Sequence, residues 1–226
     1  MPARRYGILS DVHGNYAALA AALAHLDRAG VDRILNLGDM VGYGKDAPRV
    51  IDTIRARHDI VTIQGNHERM LIDAADAPTG SASIDHQLWA QSQLTGAQLK
   101  FLRDLPEQRV IDDTLLMIHS SLVQRDGYIM SREQIRLNLE AFERDYPEQA
   151  LCFFGHTHLP MVLGTEQVWP STTVRSQPRV ELNRDDLYLI NPGSVGQPRD
   201  RSGLTALAIF DAETWTIEFV GLPENQ

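Results

Sequence analysis

Short apolar runs alternate with helical patterns along the first third of the chain. The segment RYGILSD is strand-like, and the stretch NYAALAAALAHLDRAG places Leu19, Leu23 and Leu26 at spacings of three and four, which is the spacing of one helix face. A second strand is predicted at RILNLGD, a helix at residues 48–57 and a third strand at DIVTIQGN. This alternation is typical of an α/β fold.

The pattern becomes richer in strands in the second half. The runs RVIDD and TLLMIHSS predict a β-hairpin, residues 131–144 a helix and ALCFFG a further strand, and strands and turns dominate after Met161. Cys152 is the only cysteine of the chain and lies inside the run ALCFFG, so we interpret it as a small core residue rather than a reactive thiol.

The region between these two halves has a helical composition. It covers residues 68–103 and is interrupted at APTGS and TGAQ. The sequence contains no linker long enough to separate two domains, so we predict a single domain over residues 1–226 with a helical insertion at about 68–105. Five large apolar residues of the insertion are interpreted as core: Trp89, Leu94, Phe101, Leu102 and Leu105.

Composition and charge exclude some classes of function. Of the 226 residues, 43% are hydrophobic and 23% charged, and no apolar run approaches the roughly 20 residues of a membrane-spanning helix. The formal charge of −9 argues against a broad nucleic-acid-binding surface, because affinity for the phosphate backbone needs clustered Lys and Arg. The N-terminal sequence lacks the apolar segment of a signal peptide. We therefore expect a cytoplasmic protein without a membrane contact.

Residues of the metal-ligand type stand just after the predicted strands. In open α/β sheets ligands bind at the carboxyl ends of strands, so separate segments can deliver their side chains to one place. Five of the eight histidines are in such positions, which favours a metal site over unrelated structural histidines. We also expect His156 and His158 to face one cavity, because side chains two apart in an extended segment point to the same side. The residues are, in order along the chain, Asp11, His13, Asp39, Asn66, His67, His119, His156 and His158.

The arrangement of these residues in short motifs resembles that of the calcineurin-like metallophosphoesterases. The match extends from SDVHGN through LGDMVGYG, QGNHE and IHSS to FGHTH and NPGSVGQPRD, and it is most similar to the small bacterial phosphodiesterases of that superfamily. The strand pattern and the resemblance together imply a four-layer α/β sandwich of two mixed β-sheets flanked by helices. One departure is Ser120, because relatives often carry glycine after the histidine. The difference concerns the local turn and the fit of the substrate.

The resemblance implies a site for two metal ions. Its ligands follow from matching the motifs residue by residue: Asp11, His13 and His158 for one ion, Asn66, His119 and His156 for the other, and Asp39 bridging both. Two divalent ions would leave the pocket cationic within an acidic protein, so that it can attract phosphate. Mixed imidazole, carboxylate and amide ligands fit Mn, Fe, Zn, Co or Ni better than Mg or Ca.

Three further residues are candidates for contact with the substrate. The resemblance places His67 beside the leaving group as a general acid, and the alternative is a histidine that only hydrogen-bonds its loop. Tyr43 is a candidate for stacking on a substrate base, with a packed tyrosine as the alternative. Arg199 is a candidate for binding a substrate phosphate, with a solvated surface charge as the alternative. The surrounding stretch NPGSVGQPRD is interpreted as a structural loop under the site.

These observations predict a dinuclear-metal phosphoesterase that hydrolyses a small phosphorylated substrate with a hydroxide shared by the two metals. Phosphodiesters are the first expectation, because the resemblance is to small phosphodiesterases and because a monoanionic diester needs only modest neutralisation, and phosphomonoesters and nucleotides stay open. Two alternatives are a non-catalytic scaffold with the same fold and a protein phosphatase. The complete ligand set argues against the scaffold, and the sequence shows no recognisable docking extension for a protein substrate.

Overall fold

The strands form two mixed sheets. The structure is a computed structural model, and it describes residues 4–73, 89–165, 168–169, 174–176 and 178–223. Within these residues the strands are, in chain order, β1 (Arg5–Leu9), β2 (Arg33–Asn36), β3 (Ile60–Thr62), β4 (Gln108–Ile111), β5 (Leu115–Ile118), β6 (Leu151–Phe153), β7 (Pro160–Gly164), β8 (Val168–Trp169), β9 (Arg179–Glu181), β10 (Tyr188–Pro192), β11 (Thr205–Asp211) and β12 (Thr216–Leu222).

The order of the strands brings several carboxyl ends together. The first sheet has the order β3-β2-β1-β11-β12-β9, and the second has the order β4-β5-β6-β10-β7-β8. Strands β1, β2 and β3 are parallel, and so are β5 and β6, whereas β4 and β5 form the antiparallel hairpin that the sequence predicts. In each sheet, the carboxyl ends of these parallel neighbours therefore lie side by side, and the loops that follow the strands begin there.

Helices cover the outer faces of both sheets. They are α1 (Tyr16–Ala29), α2 (Ala47–Ala56), α3 (Asn66–Ile72), α4 (Gly96–Asp104) and α5 (Arg132–Asp145). Helix α1 begins at Asn15, whose side chain accepts a hydrogen bond from Ala18 N at 3.1 Å, and ends at Gly30 with a left-handed φ of 65°. The buried residues of α1 include Leu19, Leu23 and Leu26, as their spacing predicts.

Successive side chains along a strand point to opposite faces of the sheet, so each sheet packs on the other sheet on one face and on helices on the other, which gives four layers. In and just after β6, Leu151 and Phe153 pack between the two sheets, whereas Cys152 and Phe154 pack in the cluster under α5. Helices α1, α2 and α4 pack in the corresponding cluster on the outer face of the first sheet. The predicted four-layer sandwich is therefore confirmed. Cys152 is fully buried, as expected for a core residue, and burial raises the pKa of its thiol.

Within the predicted insertion, residues 74–88 lie outside the described part of the chain, and the residues on both sides of them are described. Leu94 and Leu102 are buried, and Phe101 and Leu105 pack against the same cluster. The interpretation of Trp89 as a core residue is wrong, because its side chain is 42% exposed. In the segment 89–94, Ala90 and Leu94 are four residues apart and face the core. Trp89 is one position away from that face.

None of the helices in the described ranges is long and apolar enough to cross a membrane.

Candidate metal centre

Side chains from both sheets meet where β1, β2, β3, β5 and β6 end. The first sheet contributes the residues that follow β1, β2 and β3, and the second sheet contributes those that follow β5 and β6. The His and Asp residues among them fall into three overlapping clusters, in each of which the ligand atoms lie within 4.8 Å of one another. His13, Asp39 and His67 form a cluster that overlaps the other two, which have no residue in common. Of these two, the first cluster is Asp11, His13 and His158, and the second cluster is Asp39, His119 and His156.

The first cluster consists of three buried groups that each offer a lone pair. Asp11 Oδ1 lies 3.7 Å from His13 Nε2 and 3.2 Å from His158 Nε2, and the two Nε2 atoms are 3.1 Å apart. Asp11 Oδ1 is buried and has no hydrogen-bond partner among the described residues. A buried carboxylate oxygen without a donor is costly unless a cation neutralises it, so this set of atoms fits a metal ion.

Backbone carbonyl groups orient the four histidines of the two clusters. A carbonyl oxygen can only accept, so the ring nitrogen that contacts it must be the one that donates, and the lone pair of the neutral imidazole then lies on the other ring nitrogen. That nitrogen is Nε2 in His13, His119 and His158, and Nδ1 in His156. The four bonds are His13 Nδ1 to Val41 O at 3.1 Å, His119 Nδ1 to Leu37 O at 2.7 Å, His158 Nδ1 to Gln197 O at 2.6 Å and His156 Nε2 to Asp126 O at 3.0 Å.

Asp39 belongs to the second cluster and faces the first. Its Oδ2 atom is 3.8 Å from His13 Nε2 and 3.2 Å from His119 Nε2. The second cluster also includes Asn66, whose Oδ1 is 3.0 Å from His119 Nε2. The other oxygen of Asp39, Oδ1, accepts the backbone N–H of His67 at 2.9 Å, which fixes the carboxylate plane. The role of Asp39 as a bridging ligand stays a prediction.

Five of the seven predicted ligands have a left-handed backbone. Their φ angles are 55° at Asp11, 49° at His13, 56° at Asp39, 65° at His156 and 60° at His158. Residues with a Cβ rarely adopt this conformation, which costs of the order of 1–3 kcal/mol at each position. Such backbone strain is concentrated at functional sites, so its occurrence at these residues supports a functional role for the loops.

The loop that carries His156 and His158 is bent rather than extended. We expected both side chains to face one cavity because the segment would be extended. That reason is wrong, since both residues have a left-handed backbone. His158 contributes to the first cluster and His156 to the second. The turn begins at Gly155, where an added Cβ would lie 1.9 Å from Ser10 Oγ, so that only glycine allows this close approach to the first sheet.

The buried charges of the site interact strongly. Burial alone would favour the neutral acids, but the neighbouring His158 holds the pKa of Asp11 at about 2, and His119 holds the pKa of Asp39 well below its usual range. Burial lowers the pKa of His13 to about 4, whereas at His119 the Asp39 carboxylate outweighs burial and raises the pKa to about 10. Both carboxylates therefore remain ionised at neutral pH and can attract cations.

Comparison with known proteins identifies the family. Residues 5–214 match the model of the calcineurin-like phosphoesterase superfamily domain. The chain belongs to this superfamily. An uncharacterized protein of Methanocaldococcus jannaschii is 29% identical over 229 residues, which cover 94% of this chain and 85% of that protein.

Solved structures agree with this membership. A metallophosphoesterase from Sphaerobacter thermophilus has 30% sequence identity and a TM-score of 0.82, with 97% of this chain and 88% of that chain covered. A structure described as a novel archaeal phosphodiesterase has 17% identity and a TM-score of 0.51, with 96% of this chain and 99% of that chain covered, and it shows the likeness of the fold alone.

In this calcineurin-like phosphoesterase, His67 and Tyr43 lie beside the first cluster. The ring centroid of His67 is 4.8 Å from that of His13 and 5.2 Å from that of Tyr43. Gly42 has a φ of 123°, and a Cβ there would lie 2.7 Å from His13 Nδ1 and 2.8 Å from His67 Nδ1. Glycine therefore allows the loop to pass close to both rings. Burial lowers the pKa of His67.

Arg199 lies at the surface beside the same loops. Its guanidinium donates to Gln197 Oε1 at 3.4 Å, and its backbone N–H donates to His158 O at 3.4 Å. The structure therefore places Arg199 next to the segment that orients His158, with its side chain exposed. Its predicted contact with a substrate phosphate stays a prediction.

Asn191, near the end of β10, and the loop that follows β10 support the site. Asn191 Nδ2 donates to Gly155 O at 2.6 Å and to Thr157 Oγ1 at 3.0 Å, and thereby holds the turn that carries the two histidines. Ser194 Oγ donates to Asp11 O at 2.8 Å. At Gly196 an added Cβ would lie 1.9 Å from Val12 O, so the two loops meet backbone to backbone. These contacts agree with the interpretation of the stretch as a structural loop.

Glu68 is a site residue to which the sequence analysis gave no role. It is fully buried, and its carboxylate accepts the backbone N–H groups of Asp39 at 2.8 Å, Val41 at 3.0 Å and Gly65 at 2.8 Å. Burial and the Asp39 charge raise the pKa of Glu68 to about 7, against the effect of these three bonds. The signal was present, because an acidic residue three positions after the start of a helix is typical of a capping box.

The loop after β5 includes Ser120, which the sequence analysis named for its local turn, and Tyr128, which the motifs did not indicate. Ser120, the departure from the family pattern, accepts the backbone N–H of Asp126 at 3.2 Å through its hydroxyl. The Asp126 carbonyl in turn accepts from His156, as described above. Two residues further on, Tyr128 stacks on the same histidine with a centroid distance of 4.5 Å. The serine thus closes the loop that orients His156.

Proposed function

We propose that this protein is a phosphodiesterase that depends on two divalent transition-metal ions. The observation that carries the proposal is the pair of ligand clusters that meet at Asp39 Oδ2, 3.8 Å from His13 Nε2 and 3.2 Å from His119 Nε2. Asp11, His13 and His158 would hold one ion, and Asn66, His119 and His156 the other, with Asp39 shared. Imidazole, carboxylate and amide donors suit manganese, iron, zinc, cobalt or nickel.

The bound ions would supply Lewis-acid polarisation of the phosphoryl group and a lowered pKa for water in the site. Asp11 and Asp39 offset only half of the charge of two divalent ions, so the site keeps a positive charge for a phosphate. The carbonyl groups that orient the histidines keep the ligands in place before substrate binds. In a protein with a formal charge of −9, this local charge is what attracts the substrate.

His67 is the proposed general acid. Its ring lies beside His13, and its backbone N–H is held by Asp39 at 2.9 Å, so the side chain has a fixed place at the edge of the first cluster. Burial lowers its pKa, so the imidazolium releases its proton more easily, and a smaller fraction of the side chain carries the proton at neutral pH. The proton would pass from the imidazole to the oxygen of the leaving group.

Elemental analysis combined with two substrates tests the proposal. Purified protein reconstituted with manganese should contain about two metal ions per chain and should hydrolyse bis(p-nitrophenyl) phosphate faster than p-nitrophenyl phosphate. Chelation should abolish both reactions, and added manganese should restore them.

Other results would point to the alternatives. A faster reaction with the monoester, or with a phosphopeptide, would favour a phosphomonoesterase or a protein phosphatase. Two bound metal ions without turnover of any of these substrates would favour a scaffold. A protein that binds no metal after reconstitution would contradict the ligand assignment itself.

A further inference from the structure

Two exposed tyrosines lie against histidines of the site. Tyr43 is 53% exposed, and its ring packs edge-on to His13 at 4.8 Å and lies 5.2 Å from His67. Tyr128 is 43% exposed, and its ring stacks on His156 at 4.5 Å with only 20° between the planes. Large aromatic side chains that remain open beside a polar site offer flat apolar surfaces to a ligand.

Tyr128 is held in place on both sides of its position in the chain. Before it, the Ser120 hydroxyl accepts from Asp126 N at 3.2 Å, and the Gly127 carbonyl accepts from Ser121 N at 3.2 Å. After it, Ile129 is buried in the core under α5. The stacking surface is therefore built into a well-connected loop, and a ligand can use it at little entropic cost.

Asn138 of helix α5 ties the same loop to the fold. Its Oδ1 accepts the Ser121 hydroxyl at 2.9 Å and Leu122 N at 2.8 Å, and its own amide donates to Gln134 O at 2.8 Å. Asn138 itself is buried, with 2% of its surface exposed. The loop thus has a rigid support that does not involve the metal ligands.

The two tyrosines are next to different parts of the site. Tyr43 lies beside His67, the proposed acid for the leaving group, whereas Tyr128 lies beside His156, which belongs to the other cluster. A phosphodiester has two organic substituents, and only one of them leaves. A residue on the side away from the acid is placed to contact the substituent that stays on phosphorus.

We propose that Tyr128 is a specificity-determining residue that stacks on a planar aromatic group of the retained substituent. One face of its ring covers His156, and the opposite face extends the stack to the substrate. The preferred substrates are then diesters with an aromatic ring on the retained side, such as a nucleoside or an aryl group. This inference rests on the proposed phosphodiesterase function.

Two diesters with the same leaving group test the role of Tyr128. Bis(p-nitrophenyl) phosphate retains an aryl group after p-nitrophenol has left, whereas methyl p-nitrophenyl phosphate retains a methyl group. The quantity to compare is the ratio of kcat/KM for the first substrate to that for the second. Tyr128→Ala should lower this ratio roughly tenfold or more, as expected for the loss of one stacking contact. Tyr128→Phe keeps the ring and should keep the ratio.

Controls separate this role from damage to the loop. Val123 is in the same loop and 52% exposed, so Val123→Ala should leave the ratio unchanged. Metal content should be measured for every variant. An equal loss on both diesters in Tyr128→Ala would show that Tyr128 acts only by supporting His156, and wild-type kcat/KM values on both diesters would show that it does not contact the substrate. Either result would overturn the inference.

The failure of the proposed function would have a different signature. Wild-type protein would then turn over neither diester, and the role of Tyr128 would be decided by binding. Calorimetry of the manganese-loaded protein with phenyl phosphate and with methyl phosphate should show tighter binding of phenyl phosphate. Tyr128→Ala should abolish that difference, and a difference of the same size in the variant would contradict the inference.

Discussion

Buried side chains behind the site hold its loops in place, and Glu68 is the clearest example. Its carboxylate joins the loop after β2, through Asp39 N and Val41 N, to the loop after β3, through Gly65 N. The same Asp39 supplies the oxygen of the second cluster that faces the first. The position of Asp39 thus depends on a buried residue behind the site as well as on its neighbours in the site.

Replacement of Glu68 by glutamine should destabilise the metal-free protein. A glutamine side chain has only one oxygen, so at least one of the three backbone N–H groups would face an NH₂ group in a fully buried place. The expected loss is about 1–3 kcal/mol of unfolding free energy, measured by urea denaturation in the presence of a chelator. Glu107→Gln is the matched control, because Glu107 has a side chain that is 56% exposed and should change stability by less than about 0.5 kcal/mol. Equal stability of Glu68→Gln and wild type would contradict the role of the carboxylate.

Removal of the His67 imidazole should separate chemistry from metal binding. His67→Ala should retain the metal content of the wild type and lose turnover by roughly 10²–10⁴-fold, because only the proton donor is absent. The measurements are elemental analysis and kcat for a phosphodiester whose leaving group is an alkoxide, because p-nitrophenolate leaves without a proton donor. His58→Ala should resemble the wild type in both, since His58 is exposed and lies outside the two clusters. A variant that keeps its metal and its full activity would rule out the acid role.

Residue types in the motifs were sufficient to predict which side chains meet, but not what holds them. The Asp and His residues of the two clusters were recognised from their positions after strands, and the structure brings them together. The roles of the Leu37, Val41 and Gln197 carbonyl groups were not recognised, because every residue has a backbone carbonyl and no sequence signal shows where it points. Tyr128 was missed for a related reason, because its stacking depends on the path of a loop.

The strands and helices were largely predictable because their apolar periodicity reflects which faces are buried. Residues 151–154 are an example, since alternate side chains of this run pack in the core between the two sheets and in the core under α5. The bend after β6 was not predictable, because residues with a Cβ rarely adopt the left-handed backbone of His156 and His158 and the motif gave no signal of it.

The central position of β6 gives a testable consequence for its thiol. Cys152 is fully buried, and burial raises its pKa, so at pH 8 the group is neither ionised nor accessible, and only the thiolate reacts with disulfide reagents. A colorimetric thiol assay should detect no reactive thiol in the native protein and one thiol per chain in guanidinium chloride. Fast reaction of the native protein would mean that β6 opens readily.

The two sheets contribute unequal but complementary parts of the site. Asp11, His13, Asp39 and Asn66 follow strands of the first sheet, whereas His119, His156 and His158 follow strands of the second. A metal ion held by ligands from both sheets joins them directly. Metal binding should therefore stabilise the fold as a whole rather than one loop.

Manganese should raise the melting temperature of the protein and keep unfolding in a single transition. At a manganese concentration of about 100 times Kd, the gain in unfolding free energy is about 2.7 kcal/mol for one site. His158→Ala removes a ligand of the first cluster and should lose much of this gain, whereas His25→Ala in helix α1 should keep it. Differential scanning calorimetry with and without manganese measures both. An equal shift in wild type and His158→Ala would exclude His158 as a ligand.

The pairing of β1 with β11 also affects how the protein folds on the ribosome. Residues Arg5–Leu9 are synthesised early and can pair at once with β2, but their other neighbour, Thr205–Asp211, emerges only after both sheets have received most of their strands. Until then one edge of a strand that is buried in the mature protein stays open, and an open apolar edge can pair with other chains. The nascent chain should therefore expose this edge of β1, and depend on chaperones, until residue 211 has left the exit tunnel.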